Sequence, residues 1–339
     1  MSWNKPMPAN PVVAVAGATG VVGMEMLAIL AERAFPASRV KALASKRSAG
    51  RRLPFGNGEL VVEAMTTDSF TDVDIAFFAI GSATTQTIAH EVVGAGTVII
   101  DNSSAFRMEK TVPLVVPEVN PQAVRQHSGI IANPNCSTIQ MVVALAALSR
   151  KAAIKRVVVS TYQAASGAGA AAMAELYEQT REFLADEPLT IEHFAHRIAF
   201  NAIPQIDVFM EDGSTKEEWK MVVETKKILG DEDIEVFANC VRIPVLRSHS
   251  EMVNVEFSEP MDTEIALTAF HEAPGIVVMD DPAEKLYPMP GLVIGSDEVY
   301  VGRIRRDPTV KWGLNFWCVA DQLRKGAALN AVQIAELLL

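Results

Sequence analysis

"PVVAVAGATGVVGMEMLAILAERA", residues 11–34, joins an apolar run to a cluster of glycines and then to a second apolar stretch with a different period. The run before Gly17 is typical of a buried strand, and after Gly20 the apolar residues recur at helical spacing. Those helical positions are Met26, Leu27, Leu30 and Ala31. The stretch therefore predicts a strand, a glycine turn and a helix in immediate succession.

The same alternation continues over roughly the first 130 residues. Short apolar runs follow in "VKALAS", "VDIAFFAI" and "TVIIDNS", and the segments between them are long enough to hold helices. Strands that alternate with helices predict an α/β fold with a mostly parallel, doubly wound sheet.

The pattern changes from about Ile154 onward. Longer apolar runs appear in "IKRVVVSTYQ", "FANCVRIPVL", "SEMVNVEFSE" and "IALTAFHEA", and their alternation is typical of strands in an antiparallel sheet faced by helices. The last stretch, "WCVADQLRKGAALNAVQIAELLL", has apolar residues at helical intervals and predicts helices that pack back on a core.

Composition narrows the class of protein. A chain of 339 residues favours two domains, and a net charge of −11 argues against nucleic acid or an anionic membrane as the main partner. The apolar runs fall short of the roughly 18 residues that a membrane-spanning helix needs, and the polar start "MSWNKPMPAN" gives no sign of a signal peptide.

The cysteines and histidines predict neither a disulfide framework nor a metal centre. Cys136, Cys240 and Cys318 are widely spaced, which suits a reducing cytoplasm. His193 and His196 lie three residues apart, but no third ligand follows nearby, so we expect no metal ion.

The glycine turn "GATGVVG" is a candidate phosphate-binding loop. Closely spaced glycines between a strand and a helix let backbone amides approach a pyrophosphate at the helix N-terminus. The spacing here is G-x-x-G-x-x-G rather than the commoner G-x-G-x-x-G. A tight turn without a ligand is the alternative interpretation.

The end of the second predicted strand indicates which dinucleotide would bind. A NAD site places a carboxylate about 20 residues after the glycines, whereas "ASKRSAGRR" offers Ser45, Lys46, Arg47 and Ser48 and no acid. Hydroxyl and guanidinium donors suit a 2′-phosphate, so NADP is favoured over NAD. A solvated basic loop would have the same composition.

Cys136, in "IIANPNCSTIQM", lies where a helix is predicted to begin. Asn133, Pro134 and Asn135 break the preceding strand. Ser137 and Thr138 begin a helix, which places Cys136 in the first helical turn. Unpaired amides and the helix dipole lower the pKa of a thiol at that position and make it a nucleophile. The alternative is a cysteine that packs as a small buried apolar side chain.

A reactive thiolate combined with a nicotinamide indicates aldehyde chemistry through a thioester. That scheme needs a general acid/base, and the chain has six histidines. His249, in "RIPVLRSHSEMVNVEF", lies between a strand and basic residues that could hold an anion, although spacing alone does not single it out.

These features occur together in one known family. The sequence resembles the aspartate-β-semialdehyde dehydrogenases, and within them the bacterial branch, over nearly its whole length. The shared sequence motifs include "VAVAGATGVVG", "SKRSAG", "DNSSAFRM", "VPEVNP", "NPNCSTIQM", "STYQAASGAG", "FNAIPQID", "EEWKMVVETKKIL", "RIPVLRSHSE" and "ALNAVQIAE".

The resemblance implies a role for each matching residue. Cys136 would be the acyl-thioester nucleophile, Gln163 would position the acyl group and His249 would be the acid/base. Arg242 would bind the substrate α-carboxylate and Glu217 its α-ammonium group. The substrate and phosphate site would also include Arg107, Asn135 and Lys220.

The resemblance also assigns the NADP contacts. The diphosphate would lie against Gly17, Thr19, Gly20, Val21 and Val22. The 2′-phosphate would lie against Ser45, Arg47 and Ser48, and the nicotinamide half against Ser166, Gly167 and Gln333.

The implied architecture has a Rossmann-like NADP-binding domain at residues 1–134, completed by a C-terminal helix at 319–339. An α+β domain at 135–318, similar to that of glyceraldehyde-3-phosphate dehydrogenase, would carry catalysis and dimerisation. A homodimer would reduce 4-phospho-L-aspartate to aspartate semialdehyde and release inorganic phosphate. The product would serve lysine, threonine, methionine and diaminopimelate synthesis in the cytoplasm.

Two other functions compete with this one. An N-acetyl-γ-glutamyl-phosphate reductase would run the same chemistry but would not need Glu217, and its cysteine context is closer to "NPGCY" than to "NPNCS". A non-catalytic nucleotide-binding protein of this fold would be expected to lose Cys136 or His249, and both are present.

Overall fold

The structure is a computed structural model that describes residue 3 and residues 5–339. The chain forms two compact units, which we call unit 1 and unit 2. Unit 1 comprises residues 1–135 and 327–339, and unit 2 comprises residues 136–326. The functional boundaries inferred from the sequence, at 134/135 and 318/319, stay predictions.

The strands are numbered along the chain. They are β1 (Val12–Ala16), β2 (Arg39–Ala44), β3 (Arg52–Phe55), β4 (Gly58–Ala64), β5 (Ile75–Phe78), β6 (Val98–Asp101), β7 (Ile130–Ala132), β8 (Ile154–Gln163), β9 (Glu235–Arg242), β10 (His249–Phe257), β11 (Ile276–Val278), β12 (Val299–Arg306) and β13 (Gly313–Ala320). The helices are α1 (Val21–Glu32), α2 (Ser82–Gly94), α3 (Cys136–Ser149), α4 (Ala170–Leu184), α5 (Lys216–Leu229), α6 (Thr263–Glu272), α7 (Pro290–Val293) and α8 (Leu329–Glu336).

Unit 1 is built on a seven-stranded sheet with the order β3-β4-β2-β1-β5-β6-β7. Every neighbouring pair in it is parallel except the β3–β4 hairpin. The strands are short and buried, as expected for a parallel sheet covered on both faces. The predicted α/β fold with a mostly parallel sheet is confirmed.

Helix α8 belongs to unit 1 although it ends the chain. Its apolar residues join α1 and the parallel strands in one hydrophobic core. Asn330, buried within α8, donates from Nδ2 to the Val115 carbonyl oxygen at 2.9 Å and to Asn133 Oδ1 at 2.7 Å. Packing and these hydrogen bonds therefore hold the C-terminal segment in unit 1.

Unit 2 is built on a six-stranded mixed sheet with the order β11-β12-β13-β10-β8-β9. The central pairs β12–β13, β13–β10 and β10–β8 are antiparallel, as the sequence predicts. Both edge pairs, β8–β9 and β11–β12, are parallel. Helix α3 packs against this sheet with residues Ser137 to Leu148 all buried.

Two segment assignments made from the sequence are wrong. "IALTAFHEA" is predicted as a strand, but it lies in α6, because the Asp262 side chain accepts from the Ile265 amide and caps a helix. Ala266, Ala269 and Phe270 then bury one helical face. The last stretch is not helical from its start, since residues 317–320 belong to β13.

No helix in the described part of the chain is long and apolar enough to cross a membrane.

A pair of helical glycines tests the packing of α1. A Cβ at Gly23 would overlap the Gly17 carbonyl oxygen, whereas a Cβ at Gly94 in α2 would meet nothing within 4 Å among the described residues. We expect Gly23→Ala to destabilise the protein by about 1–3 kcal/mol, because backbone atoms cannot yield. Gly94→Ala should gain up to about 1 kcal/mol from helix propensity.

Thermal unfolding followed by circular dichroism checks this prediction. The melting temperature should fall for Gly23→Ala and should hold or rise for Gly94→Ala. If the melting temperatures of both variants shifted equally and in the same direction, the overlap at Gly23 would be relieved by movement of the turn.

Candidate active site

The glycine turn in unit 1 brings backbone amides to the carboxyl end of the parallel sheet. The Gly17 and Ala18 amides both donate to the Leu43 carbonyl oxygen, at 2.8 and 3.0 Å, which ties the turn to the end of β2. Gly17 has a φ of 85°, and a Cβ there would overlap the Ala79 carbonyl oxygen. Only glycine fits both conditions.

Helix α1 starts directly after this turn. Gly20 is its N-cap residue, with extended backbone and no side-chain cap. The residues assigned to the diphosphate, from Thr19 to Val22, are all at least partly exposed. A helix N-terminus without a side-chain cap leaves amides available to an anion.

The basic loop lies at the same edge of the sheet. Because β1 and β2 are parallel neighbours, Ser45 follows the end of β2 beside the glycine turn. Ser45, Lys46 and Arg47 are exposed and Ser48 is buried in a short 3-10 helix. The residues present fit a 2′-phosphate, since the loop offers a guanidinium and hydroxyls and carries no carboxylate from residue 45 to 48.

The other residues assigned to unit 1 are Arg107, Asn135 and Gln333. Arg107 is buried and donates from Nη2 to the Asn102 carbonyl oxygen at 2.9 Å. Asn135 is also buried. Gln333 lies on α8 and donates to Glu118 Oε1 at 3.3 Å.

Three asparagines fix the segment that leads to Asn135. Asn133 donates from Nδ2 to Asn102 Oδ1 at 2.7 Å and to the Ala327 carbonyl oxygen at 3.1 Å. Asn330 in turn donates to Asn133. This network does not follow from the sequence alone, although all three asparagines lie in the motifs that carry the family resemblance.

In unit 2, Cys136 is the first residue of α3, as the sequence predicts. It is partly exposed, whereas Cys240 and Cys318 are buried and their pKa values are raised, chiefly by burial. A Cβ at Gly326 would lie 3.2 Å from both Cys136 Cβ and its carbonyl oxygen. A side chain at position 326 would therefore press on Cys136, and glycine avoids this contact.

Three of the assigned residues form a row across the sheet. Gln163 ends β8 and is the register partner of Arg242, which ends β9. His249 begins β10, one position beyond the Ser250–Tyr162 pair, so it stands at the same level as Gln163. The row Arg242, Gln163 and His249 is almost fully buried.

The hydrogen bonding of His249 defines its tautomer. The Ala164 amide donates to His249 Nδ1 at 3.0 Å, so the ring proton lies on Nε2. Burial, and then the Arg242 cation, hold the pKa of this imidazole well below its usual range, although the Ser248 backbone acts in the opposite direction. His249 is therefore neutral and can donate a hydrogen bond from Nε2.

The backbone of Gly167 lies close against two donors of that row. A Cβ at Gly167 would lie 2.9 Å from Arg242 Nη1 and 3.2 Å from His249 Nε2. The preceding residue, Ser166, accepts a short hydrogen bond from Gln322 Nε2. Gln322 Oε1 also accepts from the Ser248 amide at 2.7 Å and so supports the residue before His249.

Arg242 is a cation among negative partners. Burial lowers the pKa of its guanidinium, while the charges of Glu217 and of a Cys136 thiolate oppose that change. Its Nη1 donates to the Ala164 carbonyl oxygen at 2.6 Å. Ala164 thus orients both Arg242 and His249 through its backbone.

Glu217 and Lys220 lie one turn apart on α5. Glu217 accepts from Gln163 Nε2 at 3.3 Å and from Lys220 Nζ at 3.2 Å. Lys220 also pairs with Asp207 at 2.7 Å. Burial would lower the pKa of Lys220, but these two carboxylates outweigh burial and raise it. Sequence reasoning missed Asp207, which lies in the quoted motif "FNAIPQID".

Unit 2 can therefore support nucleophilic addition to a carbonyl group. It supplies a thiol at a helix start, a guanidinium whose charge favours the thiolate, and a neutral imidazole with a donor at Nε2. In the described part of the chain, no group of three or more His, Cys, Asp or Glu side chains is placed to hold a metal ion.

Comparison with known proteins identifies the family. Residues 12–127 match the family described as semialdehyde dehydrogenase, NAD binding domain, and residues 145–325 match semialdehyde dehydrogenase, dimerisation domain. A relative from Aquifex aeolicus, an aspartate-semialdehyde dehydrogenase, is 53% identical over 96% of this chain and 97% of its own. One from Bacillus subtilis is 48% identical over 96% of each chain.

The chain belongs to the aspartate-semialdehyde dehydrogenase family.

Solved structures of the family share the fold. Aspartate semialdehyde dehydrogenase II from Vibrio cholerae, complexed with ASA, matches 98% of each chain with a TM-score of 0.95 and 45% identity. The enzyme from Candida albicans, with NADP, matches 97% of this chain and 98% of its own with a TM-score of 0.76 and 26% identity. The predicted family, two-domain fold class and aldehyde oxidoreductase class are confirmed, while the individual residue roles stay predictions.

The neutral state of His249 predicts a pH-dependent stability. Because the folded protein resists protonating this ring, stability should fall as pH drops below roughly 6.5, where the unfolded histidine gains its proton. His249→Gln should remove this contribution, up to about 1.4 kcal/mol per pH unit.

Urea unfolding between pH 7.5 and 5 measures the slope. His271→Gln, at an exposed histidine of α6, is the matched control and should keep the wild-type slope. An unchanged slope in His249→Gln would mean that the pKa of His249 is not lowered in the folded protein.

Proposed function

We propose that this chain catalyses the NADPH-dependent reduction of 4-phospho-L-aspartate to L-aspartate 4-semialdehyde through a thioester on Cys136, with release of inorganic phosphate. The observation that carries the proposal is the row beside Cys136. There a guanidinium favours the thiolate, and the Nε2 donor of His249 lies beside Gly167.

The first step is attack of the Cys136 thiolate on the acyl carbon of the substrate. The C–S bond forms as the bond from carbon to the phosphate oxygen breaks, and the phosphate takes up the proton that the overall reaction consumes. Arg107, Asn135 and Lys220 are the proposed phosphate-binding residues. Lys220 enters this role as a cation, because its carboxylate neighbours raise its pKa.

The second step converts the thioester to the aldehyde, and NADPH when bound supplies the hydride. His249 donates a hydrogen bond from Nε2 to the carbonyl oxygen as that oxygen becomes negative. The oxygen then re-forms the carbonyl, the C–S bond breaks and the Cys136 thiolate is regenerated. The tautomer supports the donor half of the acid/base role that the resemblance assigns to His249.

Arg242 and Glu217 are the proposed recognition pair for the amino-acid end of the substrate. A buried guanidinium binds a carboxylate through two parallel hydrogen bonds. Glu217 lies on the far side of Gln163 and offers a carboxylate to an ammonium group. Gln163 lies between Arg242 and His249 in the sheet and would position the acyl group.

NADP is the cofactor of this proposal. In unit 1 the turn at Gly17 has no room for a side chain, and the end of β2 presents Ser45 and Arg47 to solvent without a carboxylate. These residues suit a diphosphate and a 2′-phosphate respectively. Ser166, Gly167 and Gln333 are proposed for the nicotinamide half.

We propose a homodimer formed through unit 2. Several large apolar side chains of this unit are exposed, including Phe200, Val208, Phe209 and Phe237, the last on the edge strand β9. Exposed apolar patches mark interaction surfaces. The dimerisation-domain match covers this region.

The proposed location of the enzyme is the cytoplasm. Its three cysteines form no disulfide, which suits a reducing compartment.

The first prediction concerns substrate and nucleophile. Reduction of NADP⁺ at 340 nm should require both L-aspartate semialdehyde and inorganic phosphate, since phosphate must cleave the thioester. Cys136→Ala should lower the rate by at least about 10⁴-fold, because the covalent intermediate is lost.

N-acetylglutamate semialdehyde serves as the rival substrate and should give no turnover. Preference for it would overturn the roles of Glu217 and Arg242. NADP⁺ binding without turnover of either substrate would favour a non-catalytic nucleotide-binding protein.

The second prediction concerns cofactor selection. Arg47→Ala should raise the KM for NADPH by roughly 10- to 100-fold, because a charge-assisted hydrogen bond to the 2′-phosphate is lost. The KM for NADH should change little. Arg51→Ala, at an exposed arginine of the same loop, is the matched control. Equal loss with both cofactors would mean that Arg47 has a structural role.

A further inference from the structure

A second polar layer lies directly below the catalytic row of unit 2. Alternate residues of a strand point to the same face, so residues two positions from the catalytic row share its side of the sheet. In register order this layer is Cys240 of β9, Thr161 of β8, Glu251 of β10 and Cys318 of β13. Glu251 is the only carboxylic acid of the four, and no role is assigned to it above.

The carboxyl group of Glu251 is shut off from water. Its exposed fraction is 0%, and in the described part of the chain neither carboxyl oxygen meets a donor in good hydrogen-bond geometry, although the Gln140 side chain lies close enough to affect its pKa. A buried carboxylate without partners is strongly disfavoured, whereas the neutral acid is tolerated.

Besides His249, which lies two residues away on the same strand, three acidic groups among the described residues interact with Glu251. They are Glu217 from α5 and the thiols of Cys240 from β9 and Cys318 from β13. Burial raises the pKa of Glu251 well above its usual range, Gln140 opposes this, and Glu217 adds to it. The Glu217 carboxylate disfavours a second negative charge at this position.

Gln140 connects this layer to the nucleophile. It lies four residues after Cys136 on α3 and therefore on the same helical face. Its Nε2 donates to the His249 carbonyl oxygen at 3.4 Å, while its Oε1 is buried with no donor among the described residues. Gln140 thus joins the helix of Cys136 to the strand of His249 and still lacks one hydrogen bond.

The two unmatched groups complement each other. A neutral carboxylic acid has one O–H donor, and Gln140 Oε1 is an acceptor without a donor. We infer that Glu251 is held as a neutral acid whose O–H donates to Gln140, so that it acts as a positioning residue. It would fix the α3 helix that begins at Cys136 against the β10 strand that begins at His249.

This inference deepens the proposed function and uses it for one of its readouts. Cys136 and His249 must act on the same carbonyl group, so the register between α3 and β10 sets the geometry of the reaction. Glu251 touches neither the substrate nor the cofactor in this scheme. Its effect on the rate would pass through Gln140.

Four variants separate a neutral acid from a carboxylate and from a space-filling residue. Glu251→Gln keeps one donor and one acceptor without a charge. Glu251→Met and Gln140→Met keep the length and remove the hydrogen bond, and the double variant closes the cycle. Glu256→Gln, on the same strand with a Lys155 ion pair, is the matched control.

The expected kinetic result is rescue by the conservative variant. Glu251→Gln should keep kcat within about twofold of wild type with an unchanged pH profile. Glu251→Met and Gln140→Met should each lower kcat about tenfold, with the KM for NADP⁺ unchanged, because the reacting groups lose their alignment. The kcat of the double variant should be no lower than that of either single variant, because both remove the same hydrogen bond. The rate at which iodoacetamide alkylates Cys136 should rank the variants in the same order as kcat.

The expected stability result depends on pH. The unfolded glutamate ionises above roughly pH 4.3, whereas the folded one keeps its proton, so wild type loses stability as pH rises from 5 to 8. The melting temperature of Glu251→Gln should therefore exceed that of wild type by a margin that grows with pH. The margin for Glu256→Gln should not grow.

Two results would overturn the inference. One is a constant difference in melting temperature between wild type and Glu251→Gln over this pH range, which would mean an ionised Glu251. The other is a loss of kcat or alkylation rate in Glu251→Gln as large as in Glu251→Met. If the chain had no dehydrogenase activity, the proposed function would fail, and the alkylation and melting measurements would still decide on Glu251. If Glu251→Met does not fold, the comparison of melting temperatures between wild type and Glu251→Gln still decides.

Discussion

The pleat of three neighbouring strands constrains the chemistry of unit 2 more than any single contact. Strands β8, β9 and β10 place Gln163, Arg242 and His249 at one level, because residues that are paired in register point the same way. A slip of one residue in any strand would turn its side chain to the opposite face. The catalytic row, and the layer two residues below it, depend on this register.

Charge balance in the row follows from burial. Arg242 is a cation with almost no access to water, and a buried charge requires nearby opposite charge. Glu217 supplies it, and a Cys136 thiolate adds to it. Since Arg242 and burial together keep His249 neutral, the same cation that favours the thiolate also keeps the imidazole as a hydrogen-bond donor.

The sequence predicts the elements whose signals are local and misses those that tertiary structure decides. The glycine turn and the helix start at Cys136 follow from glycine, proline and periodicity over a few residues. Ser248 shows the opposite case, because its φ of 77° would be expected only of glycine, and it depends on the distant Gln322 accepting from its amide. The α6 segment is wrongly predicted as a strand, because its apolar residues alone do not reveal the cap that Asp262 supplies just before the run.

Gly167 illustrates how a position can matter through what it lacks. The resemblance assigns this residue to the nicotinamide half of the cofactor, yet its nearest side-chain atoms beyond the chain neighbours belong to Arg242 and His249. Any Cβ would press on the two donors that the proposed substrate needs, one for its α-carboxylate and one for its carbonyl oxygen. A glycine at normal φ, where the backbone itself does not demand one, is therefore best explained by the close approach of its backbone to these two side chains.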